Sequence, residues 1–244
     1  MEPTTPSAPQ IALKLYNKLK STGEWTDLLK GYMLSDDFDN VILTLQQLVA
    51  EGVRFTPPLK SLFRAFEECP ISKLKVIVVG QDPYPQLGVA DGIAFSCGNT
   101  MKKEASLRYI HDAIARTVYG NSDLSKDMSP DLVSWSNQGV LMLNTSLTTE
   151  VGKIGKHFHI WNPFVNYLID MLNHISSENN PYIWVFLGKK AQEFEDLLNP
   201  SQIVIKASHP ASAAYAKQRE WDCNDLFNRV NTELEKFSKP KILW

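Results

Sequence analysis

Residues 76–85 read VIVVGQDPYP. Four β-branched residues in a row, with nothing polar between them, describe a strand buried on both faces rather than one with a wet side. The run stops at Gly80, and the chain passes through Gln81 and Asp82 into two prolines separated by Tyr84. Three more short apolar runs lie downstream: GVLMLN (139–144), YIWVFLG (182–188) and QIVIKAS (202–208). Helical spacing separates them around 104–119, 161–176 and 189–199, with a last helical stretch near 222–236. Strands alternating with helices imply right-handed parallel crossovers. The expected fold is α/β: a single domain with an open, mostly parallel four-stranded sheet flanked by helices on both faces.

Upstream, residues 11–68 read as helical. DNVILTLQQLVAEG (39–52) has helical apolar spacing and a glycine stop, and LKSLFRAFEEC (59–69) follows the breaker TPP. The first ten residues, MEPTTPSAPQ, carry prolines and small polar residues and read as a short flexible tail, leaving 11–244 as the domain. The stretch also lacks the basic and apolar regions of a signal peptide. QIALKLY (10–16) loosely resembles a sliding-clamp-binding peptide, but Asn17 follows Tyr16 where a second aromatic is required, so an amphipathic helix start is the better reading.

The 244 residues are enough for a sizeable core, and 43% apolar with 21% charged residues is a globular composition. A net charge of −2 announces no nucleic-acid partner, so such a partner needs a local basic patch. Cys69, Cys97 and Cys223 are scattered and odd in number, which suits a reducing, intracellular compartment: cytoplasmic in a bacterium, nuclear or viral in a eukaryotic setting. No apolar run approaches the ~20 residues of a membrane helix. Neither GxGxxG nor GxxxxGK[ST] occurs, which disfavours a nucleotide cofactor.

Ligands of open parallel sheets bind at the carboxyl ends of the strands. Here those ends carry GQDPYP, NTS, GKK and SHPAS, which gathers Asp82, Asn144, a lysine pair and His209 along one edge. Each residue also has a plainer reading. Asp82 suits a turn, yet Pro83 and Pro85 stiffen its loop as a catalytic group requires. Tyr84 and Phe95 are core aromatics or pocket walls. Asn144 is a turn residue or the amide that pairs with a base edge. A lone His is more often structural, but the edge position favours a catalytic His209. His157 and His159 have metal-ligand spacing without a third ligand in register. His111 and His174 lie in helical stretches.

GQDPYP, GIAFS (92–96), LVSWSNQGVLMLN (132–144) and ASHPAS (207–212), with RFTPPLKSLFRAF (54–66) and VFLGKKAQ (185–192), together resemble the family-1 uracil-DNA glycosylases. The resemblance runs from about residue 25 to the end of the chain. It implies a base-excision repair enzyme that flips deoxyuridine out of single- or double-stranded DNA and cleaves its N-glycosidic bond. Uracil and an abasic site result, with no metal or cofactor. Asp82 would orient the attacking water, and His209 would donate, as a neutral imidazole, to uracil O2. Asn144 would read N3–H and O4, Phe95 would stack on the base, and Tyr84 would exclude the thymine methyl. Gln81 would contribute its backbone N–H. DNA contacts are implied at Ser106, Gly188, Lys189, Ser208, Ser212 and Ala213. Lys102, Lys103, Lys153, Lys156, Lys206, Lys217 and Arg219 are candidates for the basic face. A monomer is usual for the family, and a proteinaceous inhibitor or replication partner stays open.

Three departures concern DNA handling. The family's HPSPLS loop reads HPASAAYAK (209–217), with Ala213 at the position of the leucine wedge and Tyr215 two residues on. Pro85 stands where many members have His, and MKKEAS (101–106) replaces a proline-rich clamp. An Ala cannot fill a base-sized hole, so the expectation is weaker duplex engagement with a preference for single-stranded or mispaired uracil. Two rivals remain: a non-catalytic or weakly catalytic DNA-binding module, and a sister glycosylase of other bases, in which Asp82 is typically Asn and the Tyr84 gate is absent.

Overall fold

The computed structural model describes residues 6–244; Met1–Thr5, half of the expected tail, lie outside the described residues. The remainder of that tail is not loose. Helix α1 (Ala8–Thr22) begins inside it, because Ser7 N–H donates to Gln10 Oε1 at 2.9 Å and Pro9 suits a first turn. Helices α2 (Thr26–Met33) and α3 (Asp36–Ala50) complete an N-terminal layer, α3 opening with Asp36, Asp37 and Asp39 at its positive dipole end. Then follow β1 (Phe55–Thr56), α4 (Arg64–Glu68), β2 (Val76–Gly80), α5 (Ala105–Thr117), α6 (Val133–Ser136), β3 (Val140–Asn144) and β4 (Thr149–Glu150). The chain ends with α7 (Phe158–Ile175), β5 (Ile183–Leu187), α8 (Lys189–Gln192), β6 (Ile203–Ala207), α9 (Pro210–Tyr215) and α10 (Leu226–Lys236).

The central sheet has the order β3-β2-β5-β6, and every neighbouring pair is parallel. All residues of β2 and β5 are buried, which is why their sequences show no polar alternation. An aromatic cluster of Trp25, Phe63, Phe66 and Phe164 joins the N-terminal helices to α7. A second, of His111, Trp135, Phe227 and Trp244, joins α5, α6 and α10. Strands β1 and β4 form a small antiparallel ribbon, Phe55 opposite Glu150, which two-residue strands leave no periodicity to reveal. Among the described residues no helix is long and apolar enough to cross a membrane.

From β2 the chain moves to β3 on one side, and from β5 to β6 on the other. The carboxyl ends of the adjacent strands β2 and β5 therefore feed diverging loops, which opens a crevice at that point. Gln81 and Asp82 follow β2 there, and Gly188 follows β5.

Candidate active site

The loop after β2 is held by the segment that follows β3. Thr145 N–H donates to Gly80 O at 3.1 Å, Ser146 N–H to Gln81 O at 3.2 Å, and Thr145 Oγ1 to Gln81 O at 2.9 Å. Gly152 N–H reaches Pro85 O at 2.9 Å, and Gly155 N–H donates to Asp82 Oδ2. The other carboxylate oxygen, Oδ1, is buried and has no hydrogen-bond partner among the described residues. Burial raises the Asp82 pKa, while the Gly155 N–H and the Gln81 and Thr149 side chains pull it back down. Asp82 thus keeps one oxygen fixed and one acceptor free.

Across the site, His209 precedes α9, and its Nδ1 accepts the Ala211 N–H at 3.2 Å. An accepting Nδ1 places the ring proton on Nε2. Burial pushes the His209 pKa down to about 4, so the imidazole is neutral near pH 7. Its ring lies 5.7 Å from that of Phe95, tilted by 40°.

Phe95 adopts φ +64°, an unusual conformation for a bulky residue, and it needs external support. Tyr84 Oη donates to Phe95 O at 3.1 Å, and Ala94 N–H to Met142 O at 3.0 Å. Around the same loop, the buried Asp91 carboxylate accepts from Ile93 N–H (3.0 Å), Ser96 Oγ (2.6 Å) and Gly98 N–H (2.8 Å). Arg64 pairs with Asp91 at 2.7 Å and with Asp131 at 3.0 Å. Gly80 has no side chain for a steric reason: a Cβ there would meet Asn144 Oδ1 at 2.7 Å and the Phe95 ring at 2.9 Å. Both side chains close over the end of β2.

The cleft at these strand ends has a volume of about 370 Å³ and is lined by Asp82, Tyr84, Phe95, Ser106 and His209, with Ile154 and Tyr215 among its other walls. Gln81 lines it too. Asn144 faces an adjoining cavity of about 20 Å³ that shares Pro83, Tyr84 and Phe95 with the cleft. All six residues expected at the chemistry and the base therefore gather at one place.

The expected DNA contacts divide. Ser106 is buried and lines the cleft. Gly188, at φ +94°, backs onto His209, and Lys189 is exposed beside it. Ser208 and Ser212 are exposed and line a separate polar groove, where Ser208 Oγ accepts from Trp221 Nε1 at 2.9 Å. Lys217 is exposed just past α9. Ala213 is a correction: it is fully buried, on the face of α9 turned to the core, and cannot touch DNA. Tyr215, 78% exposed, occupies the mouth of the cleft instead. Three of the candidate lysines are engaged within the fold: Lys103 with the Ser125 and Lys126 carbonyls, Lys153 with Glu150, and Lys206 with Glu195. Lys102, Lys156, Lys189, Lys217 and Arg219 are exposed and form no ion pair among the described residues.

The sequence reading missed the Gly155 N–H and Ile154. Their one signal is the glycine pair of VGKIGK (151–156), where Gly152 and Gly155 both take positive φ. His157 is no metal ligand in this arrangement; it is buried, with Nδ1 2.8 Å from Thr148 Oγ1.

The fold is a parallel α/β sheet that turns a carboxylate and a neutral imidazole toward one cleft. A family model, the Uracil DNA glycosylase superfamily, matches residues 66–235, and the chain belongs to that superfamily. A uracil-DNA glycosylase of Streptococcus pneumoniae (strain Hungary19A-6) is 29% identical over 222 residues, covering 90% of this chain and 97% of the relative. The crystal structure of mimivirus uracil-DNA glycosylase superposes with a TM-score of 0.76 at 22% identity, covering 100% of this chain and 95% of that one. A Nitratifractor salsuginis UNG structure gives a TM-score of 0.59 at 19% identity, covering 91% and 94%.

Proposed function

We propose that the chain is a family-1 uracil-DNA glycosylase that excises uracil from DNA by hydrolysis, without a metal or cofactor. One observation carries the reading: Asp82, with a free Oδ1, and His209, with its proton on Nε2, line the same cleft. Departure of uracil leaves positive charge on the sugar and negative charge on the base. Fixed groups of matching character on each side stabilise both as they develop. Asp82 faces the sugar and orients water through Oδ1. His209 donates from Nε2 to uracil O2. A neutral donor already in place needs no proton uptake at pH 7.

Specificity follows from the walls. Phe95 stacks on the flipped base, and Asn144 pairs with its N3–H and O4 edge. Cytosine presents the reverse pattern, and a mispaired buried amide is costly. Tyr84, tied to Phe95 O, fills the space beside C5. The nucleotide leaves the duplex to enter, at a cost of a few kcal/mol. Ser106, Gly188, Lys189, Ser208, Ser212 and Lys217 contact the backbone, and the wedge passes from position 213 to Tyr215.

The test is uracil release from a labelled oligonucleotide, single-stranded or paired with A or G, by wild type and Asp82→Asn in chelator. Release that is lost in the variant supports the enzyme reading. A wild type that binds DNA and releases nothing would leave the DNA-binding module standing.

A further inference from the structure

We propose that His157 is a positioning residue: its buried imidazole pins the 151–156 loop, and that loop fixes Asp82 through the Gly155 N–H. The inference rests on the glycosylase reading for its kinetic consequence, and on geometry alone for its structural one.

Two tethers join this loop to the catalytic loop, Gly152 N–H to Pro85 O at 2.9 Å and Gly155 N–H to Asp82 Oδ2. A loop with two glycines at positive φ does not hold itself in place. Its base is locked by a chain of three side chains. Trp161 Nε1 donates to Thr148 Oγ1 at 2.7 Å, and Thr148 Oγ1 lies 2.8 Å from His157 Nδ1. The threonine oxygen accepts from the indole, and its own proton is free to go to His157 Nδ1, an arrangement that puts the imidazole proton on Nε2.

That Nε2 is buried without a hydrogen-bond partner among the described residues. A buried ring with only one satisfied nitrogen is a poor choice for a purely packing position. The satisfied nitrogen is the one that ties β4's neighbour Thr148 to the start of α7 and closes the loop between them. Phe55, across the β1–β4 ribbon, packs edge-on at 6.5 Å and confines the ring. The titratable neighbours of His157 are Glu150, which holds Lys153, and His159; burial lowers the His157 pKa and so disfavours the charged imidazole.

The experiment uses the full chain as wild type, His157→Leu, His157→Asn and Thr148→Val. Two quantities are followed from about pH 4 to about pH 8: the Asp82 carboxyl titration by carbon NMR, and single-turnover uracil release. His157→Leu and Thr148→Val break the same link from opposite ends. Each is expected to raise the Asp82 pKa, because the Gly155 N–H that lowers it is no longer held in place. The acid limb of the rate then moves to higher pH, the chemical step slows by about 10- to 100-fold, and KM stays within about twofold. His157→Asn, whose side-chain oxygen can accept from Thr148, restores most of the rate and the wild-type titration. An unmoved Asp82 titration, or an Asn variant as impaired as the Leu variant, overturns the proposal. If His157→Leu fails to fold by thermal melting, the Thr148→Val titration decides alone. A wild type without uracil release refutes the glycosylase reading, while the NMR titration still judges His157.

Discussion

Gly188 stands directly behind His209: a Cβ on this glycine would lie 2.9 Å from the His209 Cβ. Gly188 also holds φ +94°, which an L side chain rarely adopts. The end of β5 thus sets the depth of the imidazole in the cleft. Gly188→Ala is expected to push His209 toward the base and slow single-turnover uracil release by about 100-fold. The substitution costs roughly 1–2 kcal/mol of backbone strain, which a chain of this size survives. Release at the wild-type rate from a folded variant would show that the His209 position tolerates displacement.

A neutral His209 predicts how the rate depends on pH. With its pKa near 4, this imidazole contributes no break between about pH 6 and pH 8. The acid limb belongs to Asp82, whose pKa burial raises above the usual carboxylate value. Activity therefore falls as pH drops through that raised pKa, when Asp82 takes up a proton. Nitrogen-detected NMR of His209 should show the Nε2–H tautomer at pH 7. A titration near pH 6.5 would contradict the burial argument.

Two of the histidines whose pKa values burial depresses, His111 and His209, also make folding pH-dependent. His111 is buried with neither ring nitrogen hydrogen-bonded among the described residues, and burial with nearby Lys103 pushes its pKa to about 3. Each folded pKa lies below the unfolded value of 6.5, so the unfolded chain binds more protons. Stability is then fully present above 6.5 and is lost as pH falls from there toward about 4 for His209 and about 3 for His111. His111→Phe keeps an aromatic edge on Trp135, which His111 meets at 5.9 Å, and removes the titration. Urea unfolding at about pH 7 and about pH 5 should show a smaller difference in the variant than in wild type.

The central sheet was legible because each strand is an unbroken apolar run, and its order of polar ends marked one edge as the site. Asp82, Asn144 and His209 could be placed along that edge for this reason. The supports were not legible. Arg64, Asp91 and Asp131 are 27 to 67 positions apart in the chain and meet only after folding. Gly155 acts through a backbone N–H, which any residue type supplies. Position 213 was misread because matching a loop residue by residue says nothing about which way its side chain points. One turn of helix, α9, turns Ala213 inward and Tyr215 outward.

That inward turn reverses the expected result of restoring a leucine. Ala213 is fully buried on a helix packed against α5. Ala213→Leu adds three carbons to a filled space and should destabilise the fold by about 1–3 kcal/mol. Thermal melting should show a lower midpoint with no selective gain on duplex DNA. A stable variant with faster duplex excision would mean that α9 rotates to expose this position.

Tyr215 carries the remaining prediction. Its ring is 78% exposed at the cleft mouth, and Ile154, 55% exposed, stands on the same rim. An exposed aromatic beside a base pocket fits either of two roles. As a wedge it would occupy the space the flipped nucleotide leaves in a duplex, which single strands do not have. As a stacking platform it would hold a neighbouring base in either kind of strand. The position at the mouth, at the end of the helix that His209 caps, favours the wedge. Tyr215→Ala should slow excision from a U:A duplex by about 10-fold, slow it less opposite G, where pairing is weaker, and leave single strands within about twofold. Equal losses on duplex and single strands would assign Tyr215 to stacking. Adding Ile154→Ser to Tyr215→Ala then tells whether the two rim residues act on the same feature of the DNA, since coupled contacts lose less together than the sum of their separate losses.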